Sequence, residues 1–426
     1  MHIGVITHNF PRFPGDYSGN FVAYLSEALA REGNRVTILA PWDAAYRPPP
    51  PDSQVDRFLW RYAPRADWHR LGYMRTMEAD VKMRGETYWL APGFFAAGTL
   101  ATLQWCLINK PDVLHAHWLL PGGFFGAVAS RLLGIPLVVS IPGSDALVAR
   151  QNPVMRSMAK FVLDQADLIT ANSGSLRDVA VNELGADPRR FELIIYGVDP
   201  RAMTVDRSKN AELRAELGVA PDELLLLAVG RMVYKKGFDV LIRAMAMIKQ
   251  SGVLETGAAL PKLRLAFVGE GDLWQEWQEL ARDLGVDEDI VWPGTVPFDQ
   301  MQGMYNAADV LVMPSVTRPA TGLSVTVLDA MACGKPIIGS TAAGNPLVVR
   351  EGHNGYIVPE GDPAALAGAI LRFAALPCET REEMGKKSRR LVEEQFAWEH
   401  LARRYLENFK RLAAGRVLLG KQDGLR

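Results

Sequence analysis

Short runs of β-branched and aliphatic residues alternate with amphipathic helical patterns along almost the whole chain, and no other feature narrows the fold as far. Strands joined through helices of that length pair in parallel, so the pattern predicts βαβ units and parallel sheets. In the first half the expected strands are Ile3–Thr7, Arg35–Ala40, Val113–Ala116, Pro136–Ser140, Leu168–Ala171 and Glu192–Ile195. Helices are expected at Asn20–Glu32, Gly93–Ile108, Gly123–Leu133 and Val154–Gln165. The pattern then restarts, with strands at Leu224–Val229, Arg264–Val268, Ile290–Trp292, Val310–Met313 and Pro336–Gly339, separated by helices near Phe238–Lys249, Trp274–Gly285, Phe298–Ala307 and Val325–Ala332. A restart in a chain of 426 residues, too long for one ordinary core, predicts two doubly wound domains. The boundary is expected between Gly197 and Asn210, giving domains at 1–200 and 201–385, with helices at 386–426 carrying Phe396 and Trp398.

The formal net charge is −1 with 22% charged residues, which argues against a general attraction to nucleic acid. Three widely spaced cysteines, Cys106, Cys333 and Cys378, lack metal-ligand spacing and read as structural thiols in a reducing compartment. The N-terminus opens on a strand pattern without the order of a signal peptide. No uninterrupted apolar run reaches the roughly 20 residues of a spanning helix. A cytoplasmic protein is the expectation.

Polar groups cluster where strands end. After Val310–Met313, a loop feeds a helix expected to start near Thr321 to Leu323, and a helix start offers free N–H groups and partial positive charge to an anion. Asp329, eight positions after Thr321, would share its face. After Leu224–Val229 come Gly230, Arg231 and Lys236, two cations able to clamp a diphosphate. The loop Thr7–Phe21 carries Gly15, Ser18, Gly19 and Asn20. It reads either as backbone approaching a phosphate or sugar or as a long connection, and it lacks a dinucleotide GxGxxG. In DVLHAHW, His115 and His117 face one way, and His117 is read as a substrate contact because no third metal ligand has suitable spacing. Ser144 and Asp145 either cap the following helix or line the same cleft.

Taken in order, DVLHAHW, GSD, YGVDP, GRMVYKKGFD, VGEGD, WPGTV, YNAADVLVMPS, GLSVTVLDAMACGKPII and HNGYIV resemble the retaining nucleotide-sugar glycosyltransferases of family four, with GT-B architecture. The resemblance spans nearly the whole chain. It implies two Rossmann-like domains facing across a cleft, an acceptor domain first and a donor domain second, and a C-terminal helix crossing back. It also implies transfer of a sugar, of hexosyl type, from a nucleotide diphosphate to an acceptor hydroxyl, without metal or other cofactor.

Carried over residue by residue, Arg231 and Lys236 hold the diphosphate. Gly269, Glu270 and Val296 lie near the nucleotide, while Thr321, Gly322, Leu323, Ser324 and Asp329 serve sugar and ribose. Ser18 and Gly19 approach the phosphates, and His117 stands near sugar and acceptor. The family shows Glu, seven residues, Glu where this chain has Thr321 and Asp329. Pro142, Tyr196 and Gly344–Leu347 depart from it too. Two other readings follow: a nucleotide-binding, catalytically weak homologue acting as a partner subunit, and a nucleotide-sugar epimerase. The acceptor is read only as a sugar, lipid-linked or small molecule. Arg57–Tyr73, rich in Arg and aromatic residues, admits peripheral contact at the inner face of a membrane or, as a bland alternative, an edge strand and loop.

Overall fold

The computed structural model describes residues 1–16, 18–73, 77–78, 82–83, 85–143, 146, 149, 152–251, 261–317 and 322–423. The chain divides into two units, Met1–Tyr196 with Trp398–Arg426, and Gly197–Ala397. Each is built on a parallel sheet whose inner strands are mostly apolar and buried along nearly their whole length, because helices cover both faces. LLLLAV at Leu224–Val229 and LVVSI at Leu137–Ile141 are buried at every position.

The first unit carries β1 (His2–Ile6), α1 (Asn20–Arg31), β2 (Arg35–Pro41), β3 (Val55–Trp60), α2 (Gly85–Asn109), β4 (Val113–His117), α3 (Phe124–Leu133), β5 (Leu137–Ile141), α4 (Pro153–Gln165), β6 (Leu168–Ala171), α5 (Gly174–Asn182) and β7 (Phe191–Leu193). Its sheet runs β3-β2-β1-β4-β5-β6-β7, with every neighbouring pair parallel. The second unit carries α6 (Asn210–Glu216), β8 (Leu224–Val229), α7 (Phe238–Ser251), β9 (Leu263–Val268), α8 (Trp274–Asp283), β10 (Ile290–Gly294), α9 (Phe298–Ala307), β11 (Val310–Met313), α10 (Val325–Ala332), β12 (Ile337–Ser340), β13 (Gly355–Val358), α11 (Pro363–Ala374) and α12 (Cys378–Leu391). Its sheet runs β10-β9-β8-β11-β12-β13. Both orders are the doubly wound pattern, in which chain direction across the sheet reverses between the first and fourth strands of the unit.

The final helix α13 (Trp398–Asp423) belongs to the first unit. Trp398, Leu401, Tyr405, Leu406 and Phe409 are buried in one cluster with Ile3, Val5, Leu29 and Val138. The helical pattern expected at 386–426 therefore falls on the end of α12 and on α13, which serve different units. Three other expectations shift. Helix α10 begins at Val325, with Ser324 as N-cap, which matches the Val325–Ala332 reading and not a start near Thr321 to Leu323. Ser324 is extended, and Leu323 is buried. Strand β7 covers Phe191–Leu193 only. Edge strand β13 escaped the pattern because four residues starting at a glycine give no readable period.

Helix α2 corrects the reading that nothing is long enough to cross a membrane. Trp89–Asn109 is apolar and long enough by length and composition, because Pro, Gly, Thr and Gln interrupt it without introducing charge. All three cysteines are free thiols, Cys106 and Cys333 buried and Cys378 exposed.

Phe409 is fully buried, so Phe409→Ala should cost about 3–5 kcal/mol in urea unfolding. A loss under about 1 kcal/mol would show that α13 contributes nothing to that core.

Candidate functional site

In the second unit, β8 and β11 are neighbours that part company at their carboxyl ends. The loop after β8 turns through a short 3-10 segment at Tyr234–Lys236 and ends at Gly237, whose φ of 63° is left-handed. That conformation brings its backbone so near the Pro314 carbonyl that a Cβ would sit 2.1 Å from the oxygen. The N–H of Val316 bonds the Lys235 carbonyl at 3.0 Å, tying the two loops together. As a result Lys236 reaches across: its Nζ donates to Ser324 Oγ at 3.1 Å, and its methylenes lie over Gly230. Arg231 is exposed one residue after Gly230. Gly269 and Glu270 follow β9, with Gly269 against the Gly230 carbonyl, and Val296 lies just past β10. Gly322 and Ser324 precede α10, which points its N-terminus at this edge. Arg231, Lys236, Gly269, Glu270, Val296, Gly322 and Ser324 thus stand on the carboxyl edge of four adjacent strands. Leu323 turns its side chain inward, so only its backbone faces this edge, and Thr321 lies outside the described residues.

Asp329 is 7% exposed on α10. Burial raises its pKa to about 7. Tyr305 and Cys333 feel its charge, and both titrate higher than usual, first because they are buried and then because of Asp329. Asn345, one of the departures noted above, is fully buried: its amide donates to the carbonyls of Met313 and Ser340 and so joins the ends of β11 and β12.

The first unit repeats the arrangement. The loop after β1 is held by Asp16, which accepts from the N–H and Nε of Arg12 at 3.0 and 2.6 Å and from the N–H of Ser18 at 3.1 Å. Burial opposes ionisation of Asp16, but Arg12 and Ser18 outweigh it and hold its pKa below the usual range. Ser18 is buried with its hydroxyl committed to Asp16, so it shapes the loop and is not an exposed donor. Gly19 is the N-cap of α1; its φ is 68° and a Cβ there would lie 2.3 Å from the Asn9 carbonyl oxygen.

His117 ends β4 with its ring 5.8 Å from that of Phe21, at the start of α1. His115 and His117 do share a face, their rings 4.2 Å apart. His115 Nε2 pairs with Ser140 Oγ at 2.7 Å, and Ser140, Thr170 and Tyr405 complete a buried hydroxyl cluster. His117 is 2% exposed and neither ring nitrogen has a partner. Burial, reinforced by His115, drives its pKa well below the ordinary value, so the ring is neutral. It lines a cavity of about 20 Å³ with Asn172, Tyr196, Tyr405 and Trp398, room for one water. Asn172, whose Oδ1 is also unpartnered, was missed by sequence reasoning, although its place just after a strand was the available signal. Ser144 and Asp145 lie outside the described residues. Among the described residues no three of His, Cys, Asp and Glu converge as a metal site.

Residues 18–197 match the family described as Glycosyl transferase 4-like domain, and residues 209–391 match Glycosyl transferases group 1. D-inositol 3-phosphate glycosyltransferase 2 of Catenulispora acidiphila is 30% identical over 305 residues, 67% of this chain and 68% of that protein. This chain belongs to the group 1 glycosyltransferases, of family-four, GT-B type. The glycosyltransferase is also similar to an uncharacterized glycosyltransferase of Methanocaldococcus jannaschii, 25% identical over 419 residues, 96% of this chain and 98% of that one. Its fold matches that of Anabaena HepE, solved in complex with UDP, with a TM-score of 0.72, 18% identity, and coverage of 96% and 100% of the two chains.

Because Asp329 titrates near 7 when folded and near 3.8 otherwise, the folded glycosyltransferase holds a proton that the unfolded chain releases between those values. The stability this group contributes is therefore full below the lower value and is lost as pH rises through 7. Asp329→Asn should flatten the decline in unfolding free energy between about pH 4 and 7, leaving the variant more stable at the upper end by up to about 4 kcal/mol. Parallel curves for variant and parent would show that this carboxyl titrates normally.

Proposed function

We propose that this glycosyltransferase moves a hexosyl group from a nucleoside diphosphate sugar to an acceptor hydroxyl with retention of anomeric configuration. The observation that carries the reading is the Lys236 ammonium fixed 3.1 Å from Ser324 Oγ at the switch point of the second unit, with Arg231 beside it on the same loop. Two cations and a helix start at one sheet edge suit a diphosphate, whose oxygens gain charge as the bond to the sugar breaks. HepE, a protein of the same fold, is solved with UDP, which supports a nucleotide donor.

As the bond from the anomeric carbon to the diphosphate oxygen breaks, its electron pair passes to the leaving group. Arg231, Lys236 and the amides opening α10 stabilise that charge, so no resident metal is assigned. The acceptor oxygen bonds to the anomeric carbon on the face the diphosphate leaves, and its proton passes to the departing phosphate oxygen. Asp329 accepts from the ribose hydroxyls once ionised. Gly269, Glu270 and Val296 border the nucleotide base, and Gly322 with Ser324 borders the sugar. On the first unit, neutral His117 offers one ring N–H and one acceptor nitrogen to an acceptor hydroxyl, neither spent on the protein.

Incubated with a panel of nucleoside diphosphate sugars, the protein should release nucleoside diphosphate steadily. Lys236→Ala should lower that turnover by a factor on the order of 10²–10³. An unchanged rate would remove the lysine from the mechanism. Tight nucleotide binding with no turnover on any donor would favour the partner-subunit reading, to which the loss of one family carboxylate at Thr321 also points.

A further inference from the structure

Helix α2 takes no part in the site just described. Its inner side is spent on the first unit: the ring of Phe125 lies where a Cβ on Gly98 would meet it at 2.5 Å, and Trp105 packs over Gly4 of β1. The outer side is different. Trp89, Ala96, Leu100 and Leu107 recur at spacings of 7, 4 and 7 residues, close to whole turns of a helix, and so form one stripe. Trp89 is 88% exposed, Leu100 67%, Leu107 61% and the adjoining Ile108 71%. From Trp89 to Asn109 there is no charged residue, and only 28% of the apolar window in this stretch is buried against the rest of the chain. A surface helix normally turns charge outward, and one that is apolar all round is ordinarily enclosed by protein or lipid.

The surroundings of the stripe say what covers it. The loop Arg61–Arg70 leans on the first turns of α2, with Tyr62 and Phe94 rings 4.8 Å apart. This loop exposes Arg61, Arg65 and Arg70 together with Trp68, against a single acidic residue, Asp67, paired to Arg65 at 3.1 Å. Lys110, exposed, follows the far end of the helix. A second copy docking here would present the same cations, whereas anionic headgroups complement them. Exposed indoles beside an apolar stripe suit the headgroup boundary, where one end of the ring is dry and the other wet.

We propose that the outer face of α2 and the loop Arg61–Arg70 form a docking surface for an anionic lipid bilayer, with the helix lying in the plane of the interface. The inner side packed on Phe125 and Gly4 keeps α2 from spanning, and the stripe enters only the headgroup and upper acyl region. The basic loop supplies the preference for anionic lipid, and that part of the affinity weakens with salt.

The full chain should sediment with vesicles containing phosphatidylglycerol and much less with vesicles of phosphatidylcholine alone. Leu100→Asp combined with Leu107→Asp should lower partition onto both vesicle types more than tenfold. Arg65→Ser and Arg70→Ser should each lower it about fivefold on the anionic vesicles only. In the unaltered chain, lipids brominated along their acyl tails should quench tryptophan fluorescence, a readout that needs no variant to fold. A full chain that stays in the supernatant with both vesicle types would overturn the proposal. So would a dimer in ultracentrifugation that Leu100→Asp dissociates, since a second copy would then be what covers the face.

Discussion

The right-handed crossover of parallel strands is the constraint on which the rest depends. A connection of that hand places successive helices on one face of the sheet while strands are added in one direction, and on the other face once the direction reverses. Where it reverses, the loops leaving two neighbouring strands part to opposite faces and leave a crevice that no helix fills. In the first unit those loops follow β1 and β4, with Gly19 in the first and His117 at the strand end that opens the second. In the second they follow β8 and β11 and bear Lys236 and Ser324. Groups remote in sequence converge because the winding leaves one place open in each sheet. Lys236 and Ser324 are 88 residues apart, yet they bond directly.

What the sequence disclosed follows the same logic. Buried parallel strands are mostly apolar, so β8 or β5 is legible from composition, and a polar residue where such a run stops marks the edge. Arg231, Lys236 and His117 were found in that way. Edge strands were harder: β13 is four residues long, and β3 carries Asp56 and Arg57 because one flank is solvent. The start of α10 was read both near Thr321 to Leu323 and at Val325, and the structure takes the later one, with Ser324 as N-cap. Ser18 was read as approaching the phosphates because its tie to Asp16, a residue whose burial beside Arg12 only the folded loop determines, leaves no local signature. Tyr405 was unreadable for a related reason. It meets Ser140 across 265 positions, and no local period announces such a contact.

Each unit keeps a group at its open edge or just behind it that folding alone does not favour. An unpaired buried nitrogen costs about 1–3 kcal/mol, and His117 leaves two of them. Burial of Asp329 in α10 works against its ionised form until near pH 7. Hydrophobic residues of similar volume would pack both places more stably, as α10 shows elsewhere with Val327, Leu328 and Met331 fully buried. Retaining a neutral imidazole and a carboxyl there leaves hydrogen-bonding capacity that the protein itself does not consume. A ligand bearing hydroxyls can use that capacity without first breaking a protein contact, so the unfavourable part of folding is recovered on binding. The hydroxyl cluster of Ser140, Thr170 and Tyr405 makes the contrast: equally buried, it pairs with itself and with His115, and it offers a ligand nothing. Burial marks both kinds of group, and the presence or absence of a partner separates the one that shapes the fold from the one available to chemistry.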